Sequence, residues 1–254
     1  MKKGELLHVL EPIVKETGEI LKSYYLGIKN YYQKTDGSFA TEADLAAEKF
    51  LLENLKDVIP GAGFFAEESG IQSGNDFSWV IDPLDGTTNF AHGLPYFCIS
   101  VALTEREIPI VGVIYQPLLD EFFYSERGEG AFLNNRPIQV STTKNLKNSL
   151  IMFEHAYVSD SHFSDVLKPV FNNVYSTRNC GAAALDLAYC AAGRVDAVLL
   201  GSLSWWDIAA GMLLISEAGG DVATFSGEPV GPSYKNFLGG NKLIFSHLKP
   251  IVST

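Results

Sequence analysis

Residues 79–90, WVIDPLDGTTNF, constrain this chain more than any other stretch. An apolar, strand-forming run delivers Asp82, Pro83 cannot continue a hydrogen-bonded ladder, and Asp85 returns three residues later. Gly86 then permits a tight turn. Two carboxylates therefore leave one strand end together, with the Leu84 carbonyl free to turn inward beside them. Carboxylate and carbonyl oxygens are the donors that Mg²⁺ prefers. Gly86, Thr87 and Thr88 follow, and N–H groups exposed at such a turn suit a phosphate. The plainer alternative is that Asp82 and Asp85 are Asx-turn residues finishing a strand.

Other acids add to this pair. Glu67 and Glu68 follow the apolar run GFFA, and adjacent like charges repel by about 1 kcal/mol at ~4 Å unless separated or neutralised by a cation. Asp207 follows two tryptophans at the head of the apolar segment WWDIAAGMLLISEAGG, where it can equally be a helix N-terminal cap. Thr41 and Asp44 have the spacing of a capping box, and Asp44 also lies beside a polar loop from which it can orient Thr87. The histidines His8, His92, His155, His162 and His247 show no paired spacing and receive no role.

Helical periodicity predicts a helix from about residue 5 to 25. Residues 30–40 read as a mobile loop, and a second helix opens at Thr41 with Leu45, Phe50, Leu51, Leu55 and Val58 as its core stripe. SWVID, FCISVAL, IVGVIY and EFFYSE, ending in a hairpin within GEGAFLNNRPIQV, predict an antiparallel meander. From residue 149 the pattern alternates: strand LIMF, a helix over 164–171, a strand near Val174, a helix over 182–192, strand VDAVLLG, a helix from Asp207 to Ala218, then two closing strands. A soft boundary between residues 144 and 147 separates an N-terminal α+β half (1–146), carrying most metal ligands, from a C-terminal α/β half (147–254) that closes the site.

The net charge of −11 argues against a nucleic-acid-binding face, which needs clustered Lys and Arg. No apolar stretch is long enough to span a membrane and no signal-like segment opens the chain, which predicts a cytoplasmic protein. Cys98, Cys180 and Cys190 lack metal or disulfide spacing and read as buried thiols.

AEE at residues 66–68, WVIDPLDGTTNF at 79–90 and WWDIAAGMLLISEAGG at 205–220 resemble the three signatures of the inositol monophosphatase family, over nearly the whole chain. That resemblance implies an α-β-α-β-α layered sandwich, usually homodimeric, acting as a Mg²⁺-dependent, lithium-sensitive phosphomonoesterase with two to three ions per site. Carried over by motif, Glu67, Asp82 and the Leu84 carbonyl hold one ion, and Asp82, Asp85 and Asp207 the second. Thr87, paired with Asp44 and aided by Glu67, positions the attacking water, while Glu68 supports the ligands from behind. Gly86, Thr87 and Thr88 hold the phosphate, and Asp85, Ala183 and Asp207 contact the substrate.

Two departures bear on the carry-over. Ser38 stands where the family often has Asp ahead of Thr41 and Asp44, and Leu200 stands where inositol-type members commonly carry a glutamate that grips the sugar ring. Inositol monophosphate, fructose 1,6-bisphosphate and a 3′-phosphonucleotide all remain open as substrates, as does a regulatory protein that retains the fold and acts through a partner. A haloacid-dehalogenase-type phosphatase is set aside, because its motif needs acids at i and i+2 rather than i and i+3.

Overall fold

The computed structural model describes residues 4–27, 31–33, 39–155 and 161–253. Helix α1 (Glu5–Tyr24) is followed by a short antiparallel hairpin, β1 (Tyr31–Gln33) with β2 (Phe39–Thr41), which leads into α2 (Glu42–Leu55). An eight-stranded sheet comes next: β3 (Gly63–Ala66), β4 (Gly70–Gln72), β5 (Phe77–Asp85), β6 (Cys98–Glu105), β7 (Ile108–Gln116), β8 (Glu121–Glu126), β9 (Ala131–Leu133) and β10 (Arg136–Ile138). Its order is β10-β9-β8-β7-β6-β5-β3-β4, antiparallel except where β3 runs parallel to β5. A one-turn helix, α3 (Thr87–Ala91), joins β5 to β6.

The second half builds β11 (Leu150–His155), α4 (Ser161–Asn173), β12 (Ser176–Arg178), α5 (Ala183–Ala191), β13 (Ala197–Gly201), α6 (Trp205–Glu217), β14 (Asp221–Ala223), β15 (Asn236–Gly240) and α7 (Lys242–Val252). Its five strands lie in the order β12-β11-β13-β15-β14. β11 is parallel to β12 and β13, as expected of strands joined through helices.

Period-2 alternation sorts the strand residues into layers. Trp79 and Ile81 pack against Leu10, Val14 and Leu51 of α1 and α2, whereas Val80 faces α5 and α6. Val198 and Leu200 of β13 meet those same central helices from the other sheet, and Ala197 and Leu199 face α4 and α7. The result is the expected α-β-α-β-α sandwich. Each fully buried leucine in these layers contributes on the order of 2 kcal/mol. The central layer is thin because its helices are rich in small residues. A Cβ on Gly112 of β7 would lie 2.8 Å from the Ala210 carbonyl, and one on Gly211 would lie 2.4 Å from Leu187 Cβ.

Several expectations change. Part of the 30–40 segment is the β1–β2 hairpin; Ser38 lies outside the described residues. The buried face of α2 is Ala43, Asp44, Ala47, Glu48, Leu51 and Leu55, while Leu45 points outward, 47% exposed. The helix turns its acids inward because Asp44 and Glu48 find donors there. α6 starts at Trp205, so its N-cap is Ser204 rather than Asp207. The chain closes on α7, not on a strand: Asn241 caps that helix by accepting from Leu243 N–H and Ile244 N–H at 3.1 and 2.9 Å. All three cysteines are free, and Cys180 is only half-buried. Among the described residues no helix is long and apolar enough to cross a membrane.

Candidate active site

Asp82 pairs with Ser100 and Asp85 with Cys98, so three steps along β5 oppose two along β6. This is a β-bulge at Pro83 and Leu84. On an unbroken strand, residues i and i+3 point to opposite faces; one extra residue restores parity and turns both carboxylates into the same pocket. The strand thus runs through Pro83 instead of breaking there, the bulge being where a missing N–H costs no ladder bond. Asp82 Oδ1 also accepts the Leu84 N–H at 3.0 Å, so the Asx turn exists and is part of the same device.

The pocket, about 190 Å³, gathers Glu67, Asp82, Asp85 and Asp207 around the Leu84 backbone, with Gly86, Thr87, Thr88 and Ala183 also in its wall. Among the described residues no Lys, Arg or His lines it. Glu67 arrives from the end of β3, its N–H bonded to the Ile81 carbonyl at 3.2 Å, which sets it beside Asp82. Asp207 arrives from the first turn of α6, where its Oδ2 accepts the Ser204 N–H at 2.6 Å. Phe65 against Trp206, ring centroids 5.4 Å apart, fixes that helix start on the large sheet.

Burial of so many acids raises their pKa values. Asp82 is pushed well above the carboxylate range by burial, then by Glu67, Asp85 and Asp207, and it shares a hydrogen bond with Glu67. Burial brings both Asp85 and Asp207 up to about 7, against the lowering effect of their backbone donors. Asp85 has two such donors, Ala183 N–H at 3.0 Å and Leu185 N–H at 3.2 Å, together with the Cys98 thiol at 3.4 Å. It therefore caps the N-terminus of α5, whose own N-cap residue, Ala182, has no side chain able to do so. The Ala183 N–H is engaged by Asp85 rather than turned to the pocket. Among the described residues, no three His, Cys, Asp or Glu side chains are grouped closely enough to hold an ion as they stand.

Asp44 lies behind this pocket and serves two ends. Its Oδ2 accepts from Thr41 N–H at 2.8 Å and Thr41 O–H at 2.6 Å, completing the capping box, while its Oδ1 lies 3.0 Å from the Thr87 hydroxyl. The capping-box bonds and the bond to Thr87 thus coexist on Asp44. Burial raises it to about 6 against the lowering pull of Thr41 and Thr87. Thr87 Oγ1 is also 3.0 Å from the Leu84 carbonyl. Gly86 is required at its position: φ is +90° and a Cβ would lie 2.9 Å from the Tyr96 carbonyl.

The profile of the inositol monophosphatase family matches residues 2–252. The chain belongs to the inositol monophosphatase family. Its relatives are phosphoric monoester hydrolases. It is 38% identical to the inositol-1-monophosphatase of Mesorhizobium japonicum, covering 96% of this chain and 94% of that one. It is 35% identical to the fructose-1,6-bisphosphatase/inositol-1-monophosphatase of Thermotoga maritima, covering 95% and 93%. The crystal structure of the extragenic suppressor protein suhB from Bartonella henselae superposes with a TM-score of 0.92 at 36% identity, covering 98% of both chains.

Within this pocket and its support, two acids escaped the motif reading. Glu48, buried on α2, accepts the Glu68 N–H and the Ser69 N–H, each at 2.8 Å, and so fixes the turn that follows Glu67. Glu68 thereby takes part through its backbone, next to the pocket wall rather than in it. Glu154, at the end of β11, lines the pocket outright. Glu48 follows Asp44 by four residues on one helix, and Glu154 ends an apolar strand as Asp82 does. Both signals were present in the sequence.

Proposed function

We propose that this chain is a Mg²⁺-dependent phosphomonoesterase of small phosphorylated metabolites, with inositol monophosphate the first substrate to test. The observation that carries the proposal is the gathering of five carboxylates and Leu84 in one pocket where, among the described residues, no basic side chain forms part of the wall. Such a donor set is all oxygen and strongly acidic, which fits hard divalent cations. Glu67, Asp82 and the Leu84 carbonyl would hold one Mg²⁺, and Asp82, Asp85 and Asp207 a second, with a third ion near Glu67 at most. Bound there, Mg²⁺ would supply electrophilic stabilisation of the phosphoryl oxygens and make water more acidic.

The protein's own groups do the rest. Thr87 donates its hydroxyl proton to Asp44, which leaves its oxygen lone pairs to accept a hydrogen bond from the attacking water. Glu67 takes part in removing that water's proton, and Glu68 and Glu48 hold Glu67 in place. Gly86, Thr87 and Thr88 offer backbone N–H groups to the phosphate, while Asp85, Asp207 and the Ala183 turn border the alcohol portion of the ester. The halves 1–146 and 147–254 act as one catalytic unit, since Asp85 of the first caps α5 of the second. By family resemblance the working form is a cytoplasmic, lithium-sensitive homodimer.

The test is phosphate release from inositol 1-phosphate, fructose 1,6-bisphosphate and a 3′-phosphonucleotide, with and without Mg²⁺ and with added lithium. Mg²⁺-dependent release ranks the substrates; no release from any of them removes the proposal. A regulatory reading keeps one argument, the likeness to a suppressor protein from Bartonella henselae. Retention of cellular function by an inactive Asp82→Asn variant would favour it.

A further inference from the structure

Glu154 stands where the local pattern calls for an apolar residue. Met152 and Glu154 of β11 share the sheet face occupied on β13 by Val198 and Leu200, and that face packs on the central helices α5 and α6. Met152, Val198 and Leu200 are all buried in this layer. Glu154 extends the row by one step, to where the layer ends and the pocket begins. Its strand neighbour in register is Leu200, which is fully buried and turned into the core. A half-buried carboxylate at the end of an apolar row carries a desolvation cost that packing alone does not repay.

Its orientation is fixed by the protein. Oε2 accepts the Gly181 N–H at 3.1 Å, and Gly181 adopts φ +77° to present that group. Among the described residues no donor engages the other oxygen. Gly201 and Ser202, with Ser202 at φ +60°, form the adjoining wall. Gly181 N–H, bonded to Glu154, and Ala183 N–H, bonded to Asp85, lie two residues apart in one turn, Asp207 raises the Glu154 carboxyl, and Glu154 in turn raises Asp85 and Asp186. Glu154 therefore borders the Asp85–Asp207 end of the pocket.

We infer that Glu154 is a specificity-determining residue that accepts a hydrogen bond from a hydroxyl on the alcohol portion of the phosphate ester, selecting polyol phosphates. This rests on the hydrolytic reading above. With Leu200 withdrawn into the core, β11 rather than β13 supplies the hydroxyl acceptor. A carboxylate held rigidly at one oxygen offers the other without ordering cost, and a hydrogen bond to a charged acceptor is worth more than one to a neutral group.

The experiment compares inositol 1-phosphate with p-nitrophenyl phosphate, which has no hydroxyl, on the wild-type chain and on Glu154→Gln at saturating Mg²⁺. Glutamine keeps a carbonyl for the Gly181 N–H and loses the charged acceptor. The expected result is a fall of about tenfold, roughly 1.4 kcal/mol, in the kcat/KM ratio of the polyol ester to the aryl ester. It should enter through KM for inositol 1-phosphate, with an unchanged melting temperature and Mg²⁺ requirement. An unchanged ratio, whether both esters are lost equally or neither is affected, overturns the inference while leaving the hydrolytic reading intact. Failure of the wild-type chain to release phosphate from either ester overturns both.

Discussion

The two ends of the acidic pocket are built differently. At one end Asp85 and Asp207 lean on backbone N–H groups at helix starts, Asp85 on Ala183 and Leu185 of α5 and Asp207 on Ser204 ahead of α6. At the other, Asp82 and Glu67 share a hydrogen bond with each other. The first pair therefore does architectural work that any variant will disturb. Asp82, which also accepts the Leu84 N–H two residues on, is placed by the bulge, and under the proposed mechanism it serves mainly the chemistry.

The sharpest way to break that contrast is to neutralise one acid at each end. Asp82→Asn should reduce Mg²⁺-dependent phosphate release by at least about 10³-fold, since it removes the carboxylate shared by both proposed ion sites. It should melt no lower than the parent, because Asn is neutral where burial already disfavours a charge and it keeps an acceptor for Leu84 N–H. Near-normal turnover would remove Asp82 from the mechanism. Asp85→Ala should also lose activity but, unlike Asp82→Asn, lose about 2 kcal/mol of stability, through an uncapped α5 and two orphaned N–H groups. Denaturant unfolding of the two variants separates them; equal stability would show that the α5 cap is dispensable.

The same contrast explains what the sequence disclosed. Asp82, Asp85 and Gly86 were legible because the rule they obey is local: a strand, a proline, and acids three apart. The layered fold was implied by the family resemblance, and the antiparallel meander followed by alternating helices and strands agreed with it. The partners of Asp85 lie about a hundred residues away on α5, and no spacing within residues 79–90 announces them. The inner face of α2 was misjudged because Leu45 outranks Asp44 and Glu48 by hydropathy, whereas the fold offers donors to both acids. The helix α7 was passed over although Ile244, Leu248 and Val252 recur at its spacing and are buried.

A milder change tests whether the Glu67 end depends on its own support. Glu48→Gln keeps one acceptor for the Glu68 and Ser69 N–H groups and loses the other. The turn bearing Glu67 should loosen, and the Mg²⁺ concentration for half-maximal activity should rise about tenfold, with kcat at saturating Mg²⁺ changed far less. An unaltered Mg²⁺ dependence would mean that Glu67 is positioned by β3 and its bond to Ile81 alone.

The smallest effect asks how both ends respond to protons. In the fold Asp85, Asp207 and Glu154 are raised to about 7 and Asp44 to about 6, each chiefly by burial, from about 4 in the unfolded chain. Between those values the folded state binds more protons than the unfolded one, so these groups favour folding below about pH 4. That contribution is lost as pH rises through 6 and 7. Without divalent cations the chain should melt several degrees lower at pH 8 than at pH 5. Mg²⁺ competes with these protons for the same oxygens, so its stabilising effect should be small at pH 5 and large at pH 8. Thermal unfolding at the two pH values, with and without Mg²⁺, measures this directly. A Mg²⁺ shift of equal size at both would mean that the carboxylates are already ionised at pH 5, held so by the N–H groups that cap them rather than protonated by their burial.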